Sequence, residues 1–220
     1  MRGGRLAMAA CLAALLAAGP AVPRTVPPDR ELYFEVTRNG APFGHHHARF
    51  FEEGAALRVE TAVALKVKVA FVTVFRYTLD TQEEWQDGRL VAIRSQADDN
   101  GNAVRMSGTA DGGGLSVTTS RGESLRAPAD IVPTTYWNKA LTEAELVLNS
   151  QNGQLLEVTV ERIGPETIRA RGEEITATRY RLSGGLDLDL WYDEAGIWVR
   201  SAFTARGAEV VFELLPGAPG

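Results

Sequence analysis

Residues 57–75 read LRVETAVALKVKVAFVTVF, and the spacing in this stretch decides the fold. Leu57, Val59, Thr61, Val63, Leu65, Val67, Val69 and Phe71 take every second position, while Glu60, Lys66 and Lys68 fall between them. A period of two, with charge confined to one phase, marks an antiparallel strand buried on one side and solvated on the other. The run is long for a single strand. It predicts two strands, or one long and strongly bent strand.

The same pattern extends in both directions. Leu32, Phe34 and Val36 alternate up to Asn39-Gly40, and a second strand runs from His45 to Phe51, ended by Glu52-Glu53-Gly54. Tyr77 to Gln86 leads into Asp87-Gly88, and Arg89 to Gln96 leads into Asn100-Gly101. These dipeptides predict two-residue hairpin turns, whose central positions both need φ > 0. Val104 to Thr109 and Leu115 to Ser120 flank the glycine-rich loop Asp111 to Gly114. Arg121 to Pro133 breaks the pattern as a polar, proline-bearing connection.

Pro133 to Leu141 then reads as a short helix, because proline suits a first turn and Tyr136, Trp137, Ala140 and Leu141 share a face. Strands resume at Leu155–Ile163, Glu166–Arg171, Ile175–Leu182, Leu186–Tyr192, Ile197–Thr204 and Glu209–Leu214. The expected fold is mainly β, with about a dozen antiparallel strands. Sheets of that size curl or close. A large curved sheet or open barrel with the helix at its mouth is the first expectation, and a closed lipocalin-type barrel the second.

The N-terminus has a different character. Arg2 and Arg5 precede an apolar stretch from Leu6 to Ala18, followed by Gly19-Pro20-Ala21. About 13 apolar residues suit a signal peptide over residues 1–21, whereas a membrane-spanning helix needs roughly 20. Residues 22–30 then read as an extended leader, 31–215 as one β-rich domain and 216–220 as a flexible tail. A periplasmic location follows. Cys11, the one cysteine, lies in the apolar stretch, with lipoprotein tethering through it as the alternative. Without residues 1–21 the formal charge moves from −5 to −7 and no disulfide can form. An acidic chain with dispersed basic residues argues against nucleic acid and against electrostatic attraction to anionic lipid.

Several constellations invite a chemical reading. His45-His46-His47 holds every histidine of the chain. On a strand His45 and His47 share a face, as two zinc or copper ligands would, with Glu52 or Glu53 as a candidate third. A solvent-facing strand start is the simpler expectation. Asp98 to Asn102 fails the calcium-loop pattern and reads as a turn. Asp187 and Asp189 alternate with Leu186, Leu188 and Leu190, so they belong to a solvated face. There is no Gly-x-Ser-x-Gly elbow, phosphate loop or dinucleotide fingerprint, and nothing calls for a cofactor.

Tyr136-Trp137-Asn138 remains. Its aromatics could plug a barrel as core or line a ligand site with Asn138 as the polar handle.

Phe34-Glu35-Val36 with Asn39-Gly40 and Phe43-Gly44, Glu84 to Leu90, Tyr136 to Asn138, Asn152-Gly153, and Leu190 to Asp193 with Gly196 resemble a family of exported bacterial proteins. This family is catalogued as domain of unknown function 6134, and the resemblance spans residues 31–215. It implies a gram-negative envelope location and no agreed activity. At fold level the pattern is also similar to the half-open barrels of periplasmic lipoprotein carriers, an analogy of architecture only.

The expectation is a non-catalytic periplasmic protein that takes a lipid or other apolar or amphipathic ligand, or an envelope protein, in the concave face of the sheet. Trp137, Tyr136, Asn138, Trp85, Trp191 and Phe71 are the expected contact residues. A metal-dependent envelope enzyme centred on His45 and His47 and a purely structural interaction module are the alternatives.

Overall fold

The computed structural model describes residues 26–69 and 71–218, so the predicted signal peptide and Cys11 lie outside the described residues. The chain opens with β1 (Glu31–Arg38), β2 (Ala41–Glu53), β3 (Ala56–Val69), β4 (Val72–Gln86), β5 (Arg89–Asp99), β6 (Asn102–Ala110), β7 (Leu115–Thr119) and β8 (Ser124–Ala127). A strap follows, made of β9 (Val132–Pro133), a 3-10 helix (Lys139–Glu143) and β10 (Leu146–Leu148). The second half holds β11 (Leu155–Ala170), β12 (Glu173–Gly184), β13 (Leu188–Asp193), β14 (Trp198–Ala205) and β15 (Ala208–Leu214).

All 15 strands form one sheet, in the order β8-β7-β6-β5-β4-β3-β2-β1-β15-β14-β13-β12-β11-β10-β9. Each half is a meander in which neighbours in sequence are neighbours in space, and β1 pairs with β15 to join the halves. The two edges, β8 and β9, are consecutive in the chain. Only five residue steps separate Ala127 from Val132, so the edges lie within roughly 18 Å. The sheet therefore curls back on itself into an open barrel. Pro133 sits on the edge strand β9, where its missing N–H costs no ladder bond.

The turns behave as their sequences demand. Asn39-Gly40, Asp87-Gly88 and Asn100-Gly101 all have positive φ at both positions. The 57–75 stretch is two strands joined by a tight turn, with register from Ala56↔Gln86 to Lys68↔Thr73.

The predicted helix differs. Val132 and Pro133 are extended, residues 134–136 turn, and helix begins only at Lys139, as a 3-10 segment. Tertiary bonds explain this. Val132 and Pro133 pair with Val147 and Leu148, and the Thr134 N–H donates to the Leu148 carbonyl at 2.9 Å. That ladder holds the backbone extended.

The inner face carries the core: Phe34, Val36, Phe50, Val59, Ile93 and Leu115 from the wall, and Trp137, Leu141 and Leu148 from the strap. The turn at Asn152-Gly153 lies against Met106, Val117 and Thr119 of β6 and β7, so side-chain packing closes the gap that hydrogen bonds leave open. Outside, the far half of the β11–β12 hairpin reaches across to β15. Its Arg171 N–H donates to the Leu214 carbonyl at 2.6 Å, and Arg171 pairs with Asp193 at 3.2 Å.

β2 contains a bulge at Phe43, where Val36 faces Gly44 and Thr37 faces Pro42. Here the backbones approach closely: a Cβ on Gly44 would stand 2.0 Å from the Ala64 carbonyl oxygen. Gly44→Ala must push β2 off β3 and is expected to destabilise the fold by about 3 kcal/mol in urea unfolding. Gly40→Ala, with open space around its Cβ, should lose only about 1 kcal/mol through its positive φ.

Candidate functional site

Antiparallel strands give the barrel two distinct ends. The turns at 39–40, 100–101 and 206–207 and the β3–β4 tip share one end; those at 54–55 and 87–88 share the other. The strap enters the interior and fills the second end. There Trp137 is buried, edge-on to both Phe50 and Trp85 at 5.4 Å. Between the two indoles lies Glu83. Its Oε2 accepts the N–H of Trp85 at 2.7 Å and of Trp137 at 3.0 Å.

Glu83 is fully buried. It occupies the inward phase of β4, after Phe75, Tyr77, Leu79 and Thr81 and before Trp85. Burial pushes its pKa up to about 7, against the smaller opposing pull of Thr135 and the two indoles. The Thr135 hydroxyl stands beside the carboxyl without reaching good hydrogen-bond geometry, and Glu83 Oε1 has no hydrogen-bond partner. An acid of this kind is poised between its neutral and charged forms near pH 7.

The first end stays open as a cavity of about 550 Å³. Phe43, Val63, Leu65, Leu79, Val210 and Phe212 form apolar walls, and Thr61, Thr134, Thr135, His46 and Tyr136 form a polar floor. His46 is enclosed by the rings of Phe34, Trp198 and Phe212 at 5.5, 5.0 and 5.9 Å. Burial drives its pKa down to about 3, so the imidazole is neutral, and its Nδ1 is unpartnered. Thr61, Thr81 and Ser95 face one another across β3, β4 and β5, and their buried hydroxyls have no partner either. Polar atoms left this way inside a protein demand a partner. His46, Thr61 and Thr135 belong to residues that line the cavity, with these atoms buried beneath its surface.

Tyr136 shapes this floor. The Trp137 N–H donates to the Thr135 carbonyl at 2.9 Å, and Tyr136 between them has φ +64°. This three-residue turn is a rare, strained form for a bulky side chain. It is held by the Tyr192 hydroxyl, which donates to the Tyr136 carbonyl at 2.7 Å. The turn sends Trp137 into the plug and Tyr136 to the cavity. Burial raises the Tyr136 pKa to about 12.

Three expected contact residues lie elsewhere. Asn138 caps the 3-10 helix by accepting the Ala140 N–H at 3.1 Å and is not among the residues lining the cavity. Phe71 is fully exposed in the β3–β4 turn, because alternation does not carry through a turn. Trp191 is on the outer face, stacked by Arg179 and Arg200 and donating to Glu166 at 2.9 Å. Asp189 pairs there with Arg179 at 2.6 Å.

The bulge at Phe43 also reverses the histidine phase, turning His46 inward and His45 and His47 outward. His47 Nε2 bonds Glu31 at 3.1 Å, and His45 stacks on Tyr33. Among the described residues no three His, Cys, Asp or Glu side chains come together as a metal site. A larger hollow of about 720 Å³ lies on the outer face of β2 to β7. Some of its polar side chains bond one another, as in Arg49–Glu60 and Ser107–Thr118.

Sequence comparison fixes the family. Residues 34–215 match the model described as Domain of unknown function (DUF6134). The chain belongs to that family. This DUF6134 chain is also similar to a solved β-barrel-like protein of domain of unknown function DUF1849 from Brucella abortus. The TM-score is 0.54 at 10% identity, covering 84% of this chain and 95% of that one. At such identity the likeness is one of fold. No curated protein matches the chain.

Glu83 and His46 act on stability in opposite senses. Unfolded, His46 binds a proton below 6.5, but folded only near 3, so stability is lost as pH falls through that range. Unfolded, Glu83 releases its proton above 4.5, but folded only near 7, so stability is lost as pH rises through that range. Between pH 4.5 and 6.5 the two slopes cancel. Urea unfolding of the wild type should be nearly flat over this interval. Glu83→Gln leaves the His46 slope alone and should gain about 3 kcal/mol across it. Parallel profiles for the two proteins would show that Glu83 does not stay neutral.

Proposed function

We propose that this protein is an exported, non-catalytic binding protein of the bacterial envelope, holding an apolar or amphipathic ligand inside the curved sheet. The cavity carries the reading. Its walls are apolar, its floor offers unpaired hydroxyls and a neutral imidazole, and its size suits a small or medium-sized molecule. A ligand with a hydrocarbon body fits the walls formed by Val63, Leu65, Leu79 and Phe212. Its polar end would bond Thr61, Thr135 and His46 at the floor. A neutral head bearing hydroxyl, ester or amide groups suits this floor better than an ion, since no full charge faces it from His46. Export is supported by the charged and apolar pattern of residues 1–21.

Native mass spectrometry of the secreted protein should show a bound small molecule that denaturation releases. N-phenyl-1-naphthylamine should bind the emptied protein with enhanced fluorescence. Val63→Phe, which fills the cavity, should weaken that binding about tenfold, a change of about 1.4 kcal/mol. Unchanged affinity in a variant whose circular dichroism is native would place the probe elsewhere and count against the cavity.

A further inference from the structure

The β3–β4 tip stands out from the rest of the surface. Phe71 is 100% exposed, Val72 64% and Val74 51%, and these are the three most exposed large apolar side chains among the described residues. All sit within four consecutive positions. Soluble surfaces tolerate single exposed apolar residues, whereas a cluster on a protrusion marks a contact.

The charge around the tip is equally distinctive. From Thr61 to Leu79 the chain has Lys66, Lys68 and Arg76 and no acid, within a sequence of formal charge −5. Lys66 faces Arg76 directly across the β3–β4 ladder, and Lys68 follows two positions on. All three are exposed, and none has an ion-pair partner among the described residues. Glu35 is the one acid bordering the surface hollow that Lys66 and Lys68 line. The tip also forms one lip of the cavity, since Val67, Val74 and Phe75 line its mouth.

We propose that the β3–β4 tip docks the protein on an anionic bilayer, with Phe71 and Val72 in the interfacial layer and Lys66, Lys68 and Arg76 against lipid phosphates. A bilayer fits better than a protein partner. Stable protein interfaces engage about 20–30 residues a side, and a convex tip with three apolar side chains cannot supply that. An aromatic residue flanked by cations is what an interface of hydrocarbon and anionic head groups accepts. The inference goes beyond ligand binding and rests on the cavity reading only for its purpose, which is to bring the mouth to the membrane.

Co-sedimentation with phosphatidylcholine vesicles containing phosphatidylglycerol tests it, using the protein as the expressing cell secretes it. Wild type and variants then share one N-terminus, so their comparison reads the tip alone. Phe71→Ser/Val72→Ser should partition roughly tenfold more weakly. Lys66→Gln/Lys68→Gln should lose the preference for phosphatidylglycerol over pure phosphatidylcholine, and with it the salt dependence. Both variants should bind N-phenyl-1-naphthylamine as the wild type does, which keeps this test separate from that of the cavity. Equal partitioning of the wild type and Phe71→Ser/Val72→Ser overturns the proposal. Absence of wild-type partitioning, or a dimer in sedimentation velocity that the same variant abolishes, overturns it too.

Discussion

One carboxyl group joins the wall of this barrel to its contents. Glu83 on β4 receives the indole N–H of Trp85 from its own strand and that of Trp137 from the strap, and both bonds fall on the same oxygen. Everything the strap does depends on where Trp137 is held. An apolar residue at position 83 would remove the acceptor of both indole bonds, and the buried Trp137 donor alone would then cost about 1–3 kcal/mol. A buried acid is expensive in its own right, so the arrangement trades stability for a defined position.

The need for such a strap follows from the size of the sheet. Fifteen strands curl, and their inner face encloses more space than its own side chains can fill. A barrel closed by hydrogen bonds would have no gap through which to feed other chain. Here the edges β8 and β9 meet through a short connection, and the segment that would otherwise complete the ladder turns inward. The γ-turn at Tyr136 then divides the interior. Below it, Trp137, Glu83 and Trp85 are solid core; above it, Tyr136 and Thr135 become the floor of a cavity. Strain at one residue is thus offset by the Tyr192 hydroxyl and by the packing on both sides of the turn.

Most of this architecture was legible in the chain because period-two alternation and two-residue turns are local signals. Residues 57–75 announced a half-buried sheet, and Asn39-Gly40, Asp87-Gly88 and Asn100-Gly101 announced its hairpins. What failed was whatever depended on phase after an irregularity. The Phe43 bulge puts Phe43 and His46 on the same inner face although they are three positions apart, and no local pattern reports a bulge. The turn after Val69 ends the alternation that assigned Phe71 to the inner face. The 133–141 segment carried helical spacing, yet pairing of Val132 and Pro133 with β10 overrode it. Glu83 had a signal that could have been read. It is an acid on the same phase as Leu79, Thr81 and Trp85, and a charge on the buried face of a strand is seldom idle.

Charge is unevenly placed over this surface, and the reason is geometric. The acids are spread over the outer faces of many strands, where they pair with arginines, as Glu166 and Asp189 do with Arg179. The segment between Glu60 and Asp80 has none, and the β3–β4 hairpin carries it beyond the rest of the barrel wall. Screening confines electrostatic attraction to about 8 Å at physiological salt, so a bilayer approached by the tip responds to Lys66, Lys68 and Arg76 rather than to the sum over the chain. That same hairpin borders the cavity, because the strap fills the opposite end. The asymmetry of the plug therefore sets which end is open, and the open end is the one that bears the apolar, basic tip.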